Sequence, residues 1–187
     1  MNMEQFHKDL IIVDGLIISN WNRKVFEDMH KGGITAANCT CGVWEGVNYS
    51  LVNVAKWKTW FRENNDLIVQ IYKKEDILDA KKTNRVGIIL GWQNTSGIEN
   101  HINLIPVFKE LGIGVMQITY NTQNLSGSGC YESKDRGLSD FGREVIDEMN
   151  NAGIVIDLSH VGEKTSEEVI RHSKKPVAYS HCCPRSL

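Results

Sequence analysis

The 187-residue sequence has no CxxC spacing, no apolar run long enough to cross a bilayer and no basic excess. Each absence removes a class of protein. Five cysteines, Cys39, Cys41, Cys130, Cys182 and Cys183, make an odd and scattered set, which argues against a disulfide framework and a zinc ribbon. The opening MNMEQFHKDLIIVDGL lacks a basic n-region and its apolar run is cut by Asp14. Neither a signal peptide nor a membrane span is therefore expected, and the reading is of a cytosolic protein with reduced thiols. A formal net charge of -2, with Lys and Arg spread among acids, offers nothing to pair with a phosphate backbone. Nucleic acid is excluded as an expected partner, and a small molecule is the partner to look for. Neither GxGxxG nor a P-loop follows any candidate strand, so nucleotide binding has no support.

What is present has the make-up of one globular domain or part of one, 41% hydrophobic and 24% charged. Short apolar runs recur: LIIVDGLII, GITAANCT, DLIVQIY, RVGIILGW, GIGVMQITY, GIVIDLSH and PVAYSH. Most are nearly continuous in Val, Ile and Leu, the pattern of parallel strands covered on both faces. Amphipathic stretches lie between them, among them NHINLIPVFKELG, SDFGREVIDEMNNAG and KTSEEVIRHS. The first two stop at a glycine; Ser139 or Asp140 can cap the second, and Thr165 with Glu168 is expected to form a capping box on the third. The β-α-β-α order predicts a parallel sheet, doubly wound or closed as a (β/α)8 barrel, with its chemistry at the C-terminal strand ends.

Two histidines fall at that end. GIVIDLSH closes on His160 and PVAYSH on His181. Imidazoles at matching places on successive parallel strands can share one divalent metal with open positions left for water and substrate; alternatively each caps its strand by bonding a neighbouring loop. His7, His30, His101 and His172 fall in helical or N-terminal segments, where packing suffices. Trp21, Trp44, Trp92 and Tyr120 follow strands, so four aromatics are candidates to ring one pocket that would suit a cationic amine or betaine, or else to plug the mouth. Gln93 and Asn121, with Asn20, Asn22, Asn94, Gln123 and Asn124, add neutral hydrogen-bonding groups for a small polar substrate. The loop NLSGSGCYESKDRGLS reads as a substrate loop or a mobile one. Cys39 and Cys41 read as small packing residues, whereas Cys182 and Cys183 sit beside His181, where a thiolate offers a third ligand or a nucleophile.

The segment GLSDFGREVIDEMNNAGIVIDLSHVGEKTSEEVIRHSKKPVAYSH resembles the core of the membrane (renal-type) dipeptidase family of the amidohydrolase superfamily, and a weaker match reaches back to IVDG. The resemblance implies a (β/α)8 TIM barrel with a binuclear zinc site that hydrolyses a dipeptide or related amide, with His160 and His181 as metal ligands. The departures carry as much information. Where the family has Asp-Gly-His-x-Asp, this chain reads DGLII, with Leu16 and Ile18 in the ligand slots; Gln93 replaces the bridging Glu, and Tyr120 a substrate-contacting His. These substitutions predict that one metal site is gone and that at most one zinc ion binds per chain. A complete barrel typically needs about 250 residues, so residues 1–187 are expected to form a single incomplete barrel domain of about six barrel strands plus the short DLIVQIY strand, the C-terminal strands missing and an open edge available for homo-oligomer formation. The reading is a dipeptidase-like or amidohydrolase-like hydrolase with a remodelled single-metal site. The alternatives are a non-catalytic or degenerate fragment, an amine-binding protein, or a non-metal enzyme using Tyr120 or Cys182.

Overall fold

The computed structural model describes residues 2–183. Every predicted strand is present, and all seven join one parallel sheet: β1 Val13–Ile17, β2 Ala36–Gly42, β3 Ile68–Gln70, β4 Val86–Trp92, β5 Ile113–Gln117, β6 Val155–Asp157 and β7 Val177–Ala178. Helices alternate with them: α1 Met3–Asp9, α2 Arg23–Lys31, α3 Val47–Glu63, α4 Lys74–Lys82, α5 Leu104–Leu111, α6 Asp140–Ala152 and α7 Glu163–His172. No helix among the described residues is long and apolar enough to cross a membrane.

The path runs β1-β2-β4-β5-β6-β7, with β3 off it. β3 pairs with Val86, Gly87 and Ile88, and β5 takes over the same edge of β4 from Leu90 onward. Gln70 Nε2 donates to Leu111 O where one strand replaces the other, at 3.1 Å. DLIVQIY is thus the extra short strand, and six strands make an incomplete barrel. The sheet is curled. Its end strands would stand ~24 Å apart if flat, from five steps of ~4.8 Å, yet a Cβ on Gly15 in β1 would overlap the backbone carbonyl of Ser180 just past β7.

Strand parity divides the chemistry. Ala37, Cys39, Ile88, Leu90, Met116 and Ile156 share the outward face and pack under the helices against Phe26, Trp57, Phe108, Val145, Ile146 and Met149. The alternate residues Asn38, Thr40, Gly91, Gln117 and Asp157 face inward and are buried, and the half-buried Ile89 and Val115 share that face. Cys39 and Cys41 are buried thiols, as expected of packing residues, and burial pushes the Cys41 thiol up to about 12.

Helix ends follow their capping residues. Ser139 Oγ accepts from Gly142 N at the start of α6, and Gly153 closes it at φ 71. The expected Thr165–Glu168 capping box does not form, because α7 begins at Glu163 behind Gly162. Thr165 instead donates its hydroxyl to Asp135, and Glu168 accepts from Leu138 N.

Because the obstacle at Gly15 is backbone rather than a movable side chain, Gly15→Ala should cost about 1–3 kcal/mol. A denaturant melt with unchanged midpoint would show that β1 and the end of β7 do not approach in this way.

Candidate active site

The strand ends after β5, β6 and β7 converge on one group of side chains. His160 Nε2 lies 2.9 Å from His181 Nε2. On its other side His160 Nδ1 is 2.7 Å from Asn121 Oδ1, and His181 Nδ1 is 2.8 Å from Ser180 Oγ. The Ser180 hydroxyl donates to Asp157 Oδ2 at 2.5 Å. Asp157, 2% exposed, also accepts from Ser159 N, Ser159 Oγ and Ser180 N at 3.0, 2.8 and 3.1 Å. Burial and then the neighbouring His181 push the His160 imidazole below its ordinary range, partly offset by Asp157.

Backbone conformation aims these groups. Asn121 and His160 both adopt left-handed angles, φ 63 and φ 59, where each chain leaves its strand. Asn and His are among the side chains that tolerate this region best. The loop 124–139 holds both turns: Tyr131 N donates to Asn121 O and Cys130 N to His160 O, at 2.8 and 2.9 Å. It is anchored rather than loose. Asn124 Oδ1 accepts from Ser126 N and Gly127 N, while its amide donates to Asn94, Thr95 and Ile118. Asp135 accepts from Gly137 N, Lys164 N, Thr165 N and Thr165 Oγ1, so one carboxylate ties the loop to the first turn of α7.

The four aromatics that were candidates either to ring one pocket or to plug the mouth divide into separate groups. Tyr120 stacks on His160 at 4.4 Å, and the exposed Trp44 meets Tyr120 edge-on at 4.9 Å. Trp21 joins Phe26 and Trp57 instead. Trp92 lies on the outward face of β4, 2% exposed, against Phe108. It is a core residue because strand parity turns its side chain away from the mouth. Gln93, next in the chain, faces inward and donates to Thr40 Oγ1 at 2.8 Å. The other neutral amides are largely consumed locally: Asn22 caps α2 and Asn94 accepts from Ser96 N and Asn124.

A cleft of about 750 Å³ borders the pair, lined by His160, His181, Tyr131, Tyr179, Cys130 and Cys182 among others. Cys182 is exposed and free. No group of three or more His, Cys, Asp or Glu among the described residues is arranged to hold a metal ion. Leu16 is half-buried and Ile18 is 65% exposed, and neither side chain can donate to one. The residues that hold the histidines, Asp157 and Ser180, were not singled out by sequence reasoning, although the repeated Ser-His dipeptide at two strand ends was a usable signal.

The sequence model of the family described as membrane dipeptidase (peptidase family M19) matches residues 18–187. An uncharacterized dipeptidase of Schizosaccharomyces pombe is 30% identical over 128 residues, 66% of this chain and 31% of that protein. Dipeptidase 3 of Rattus norvegicus is 25% identical over 111 residues, 56% of this chain and 23% of the relative. A crystal structure of an amidohydrolase from Pseudomonas aeruginosa superposes on all of this chain with a TM-score of 0.98 and 53% identity, the match covering 57% of that chain. A metallo peptidase from Rhodobacter sphaeroides, solved with a phosphinate mimic of the dipeptide L-Ala-D-Ala, shares the fold at a TM-score of 0.77 and 15% identity over 90% of this chain and 64% of its own. The chain thus spans about a third or less of the length of these curated relatives.

Burial alone would raise the Asp135 carboxyl, but the bonds from Gly137, Thr165 and Lys164 outweigh it and hold it below the ordinary carboxylate range. A carboxyl depressed in the folded state adds stability above its unfolded value of about 3.9, and that contribution disappears as pH falls through the folded value. Asp135→Asn should therefore flatten the acid limb of the thermal stability profile below about pH 4. An acid limb identical to that of the parent protein would remove Asp135 as the anchor of the loop.

Proposed function

The chain belongs to the membrane dipeptidase family, peptidase family M19, and on that footing we propose that its mouth serves the hydrolysis of a dipeptide or other small amide at a remodelled site. The observation that carries this reading is the pair of imidazole nitrogens, His160 Nε2 and His181 Nε2, brought 2.9 Å apart at the C-terminal ends of β6 and β7. Catalytic groups of parallel barrels gather at that end. Family membership makes metal use the parent chemistry, and the donor set supports one divalent ion rather than two. Two imidazole nitrogens suit zinc, whereas Leu16 and Ile18 offer no lone pair and Gln93 offers no charge to offset a second dication. Any further ligands lie outside the groups described above. When bound, such an ion would polarise the scissile carbonyl.

The chain's own residues supply the rest. Asn121 orients His160, and Ser180 with Asp157 orients His181. Tyr120 and Trp44 form a wall beside His160, against which an apolar substrate side chain would pack. Residues 1–187 act as one partial-barrel unit in this reading. Five free thiols, three of them exposed, suit a reducing, cytosolic setting. β1 and β7 each have one strand neighbour among the described residues, which favours association between copies.

A second reading, a member that binds its small molecule without hydrolysing it, is favoured by the absence of a three-ligand group among the described residues. Elemental analysis and turnover separate the two. The first predicts at most one divalent ion per chain, lost in His160→Ala and in His181→Ala, together with metal-dependent release of free amino acids from a dipeptide panel. Two ions per chain would overturn the assignment of Leu16, Ile18 and Gln93. Calorimetric binding of a dipeptide without turnover in the metal-loaded protein would select the second reading.

A further inference from the structure

The hydrogen bonds around the histidines determine where their protons sit. An amide oxygen only accepts, so Asn121 Oδ1, 2.7 Å from His160 Nδ1, requires a hydrogen on that nitrogen. Cys130 Sγ, donating to the same oxygen at 3.6 Å, agrees with this orientation of the amide. On the other ring the proton position is set through a relay. Asp157 faces four donors from Ser159 and Ser180, which occupy its two carboxyl oxygens as acceptors. The one hydrogen of the Ser180 hydroxyl goes to Asp157, so Ser180 Oγ is left to accept from His181 Nδ1. Both rings then carry hydrogen on Nδ1 and a lone pair on Nε2. The two Nε2 lone pairs are then brought within 2.9 Å of each other, an unfavourable contact that a shared proton or one metal ion bound by both nitrogens relieves.

We propose that Asn121, Ser180 and Asp157 are positioning residues that lock His160 and His181 in the Nδ1–H tautomer, so that both Nε2 atoms present lone pairs to a single bridging cation. The inference rests on the single-ion reading above and specifies what prepares that site. It also gives a reason for the aspartate and the paired Ser-His dipeptides that strand capping does not, since a cap would need only one bond to each ring. Ligating histidines elsewhere use their second nitrogen in the same way, and loss of the partner typically weakens metal binding by about 10–100-fold.

The test is nitrogen-15 NMR of histidine-labelled protein, with Co²⁺ as the probe metal in calorimetry. In the parent chain the directly bonded hydrogen should appear on Nδ1 of both rings. Ser180→Ala should release His181 to the Nε2–H tautomer and weaken Co²⁺ binding by about 10–100-fold, while Ser180→Thr, which keeps the hydroxyl, restores both. Asn121→Gly, whose backbone tolerates the left-handed angle, should do the same to His160 alone. A hydrogen on His181 Nε2 in the parent chain, which would mean that the relay runs from Asp157 toward the ring, overturns the proposal. So do unchanged tautomers and affinity in folded Ser180→Ala and Asn121→Gly. A parent chain that binds no Co²⁺ sinks the single-ion reading instead, and the tautomers then decide the positioning proposal on their own.

Discussion

One buried carboxylate determines how two strands end. Asp157 accepts from the backbone and the hydroxyl of Ser159 on its own strand and from the backbone and the hydroxyl of Ser180 on the next. A carboxyl group so deep in the protein is tolerable only when its lone pairs are met by donors. The four donors come from the residues immediately before His160 and His181, so satisfying the carboxyl group also fixes where both imidazoles emerge. Removing the carboxylate would leave the backbone amides of Ser159 and Ser180 unmet, each at the desolvation cost of about 1–3 kcal/mol. The same bonds therefore serve the sheet and the mouth.

The buried polar side chains on the inner face of β2 and β5 are neutral. A pair of bound dications calls for carboxylates to balance it, yet the inward polar groups of β2 and β5, and Gln93 just past β4, are amides and hydroxyls. Gln93 donates to Thr40, and Gln117 donates to Gln93 O and Thr119 O. Gly91 leaves the space that the Asn38 side chain fills, and Asn38 in turn reaches Gly15 O. The bonding is incomplete, since Asn38 Oδ1 and Gln117 Oε1 are buried without a hydrogen-bond partner among the described residues.

Much of the fold was legible because it follows from local patterns. Continuous apolar runs marked each strand, and Ser139 and Gly153 marked both ends of α6. The two Ser-His strand ends were legible for the same reason, since position along a parallel strand fixes which end of the sheet a residue reaches. What was not legible depends on parity and on distant partners. Trp92 and Gln93 are adjacent, yet a strand sends them to opposite faces, and only the observed register shows that Trp92 faces the helices. Thr165 has the spacing of a cap with Glu168, but Asp135, 30 residues away, claims its hydroxyl. Asp157 reads as an ordinary strand residue until the next strand end supplies half of its donors.

The site also owes its shape to a loop rather than to the sheet alone. Left-handed backbone at a non-glycine residue is held only where surrounding contacts over-determine it, and Asn121 and His160 both need that support. Tyr131 N and Cys130 N bond their carbonyls directly, while Asn124 and Asp135 secure the two arms of the loop that carries those donors. The stacked Tyr120 closes the remaining face of the His160 ring. His160 is thus restrained at its backbone by the loop, at Nδ1 by Asn121 and on its face by Tyr120. His181 depends instead on Ser180 and on the Ser159 hydroxyl that accepts its amide. The more constrained imidazole can act as the fixed reference against which the other is aligned, and that alignment passes through Asp157.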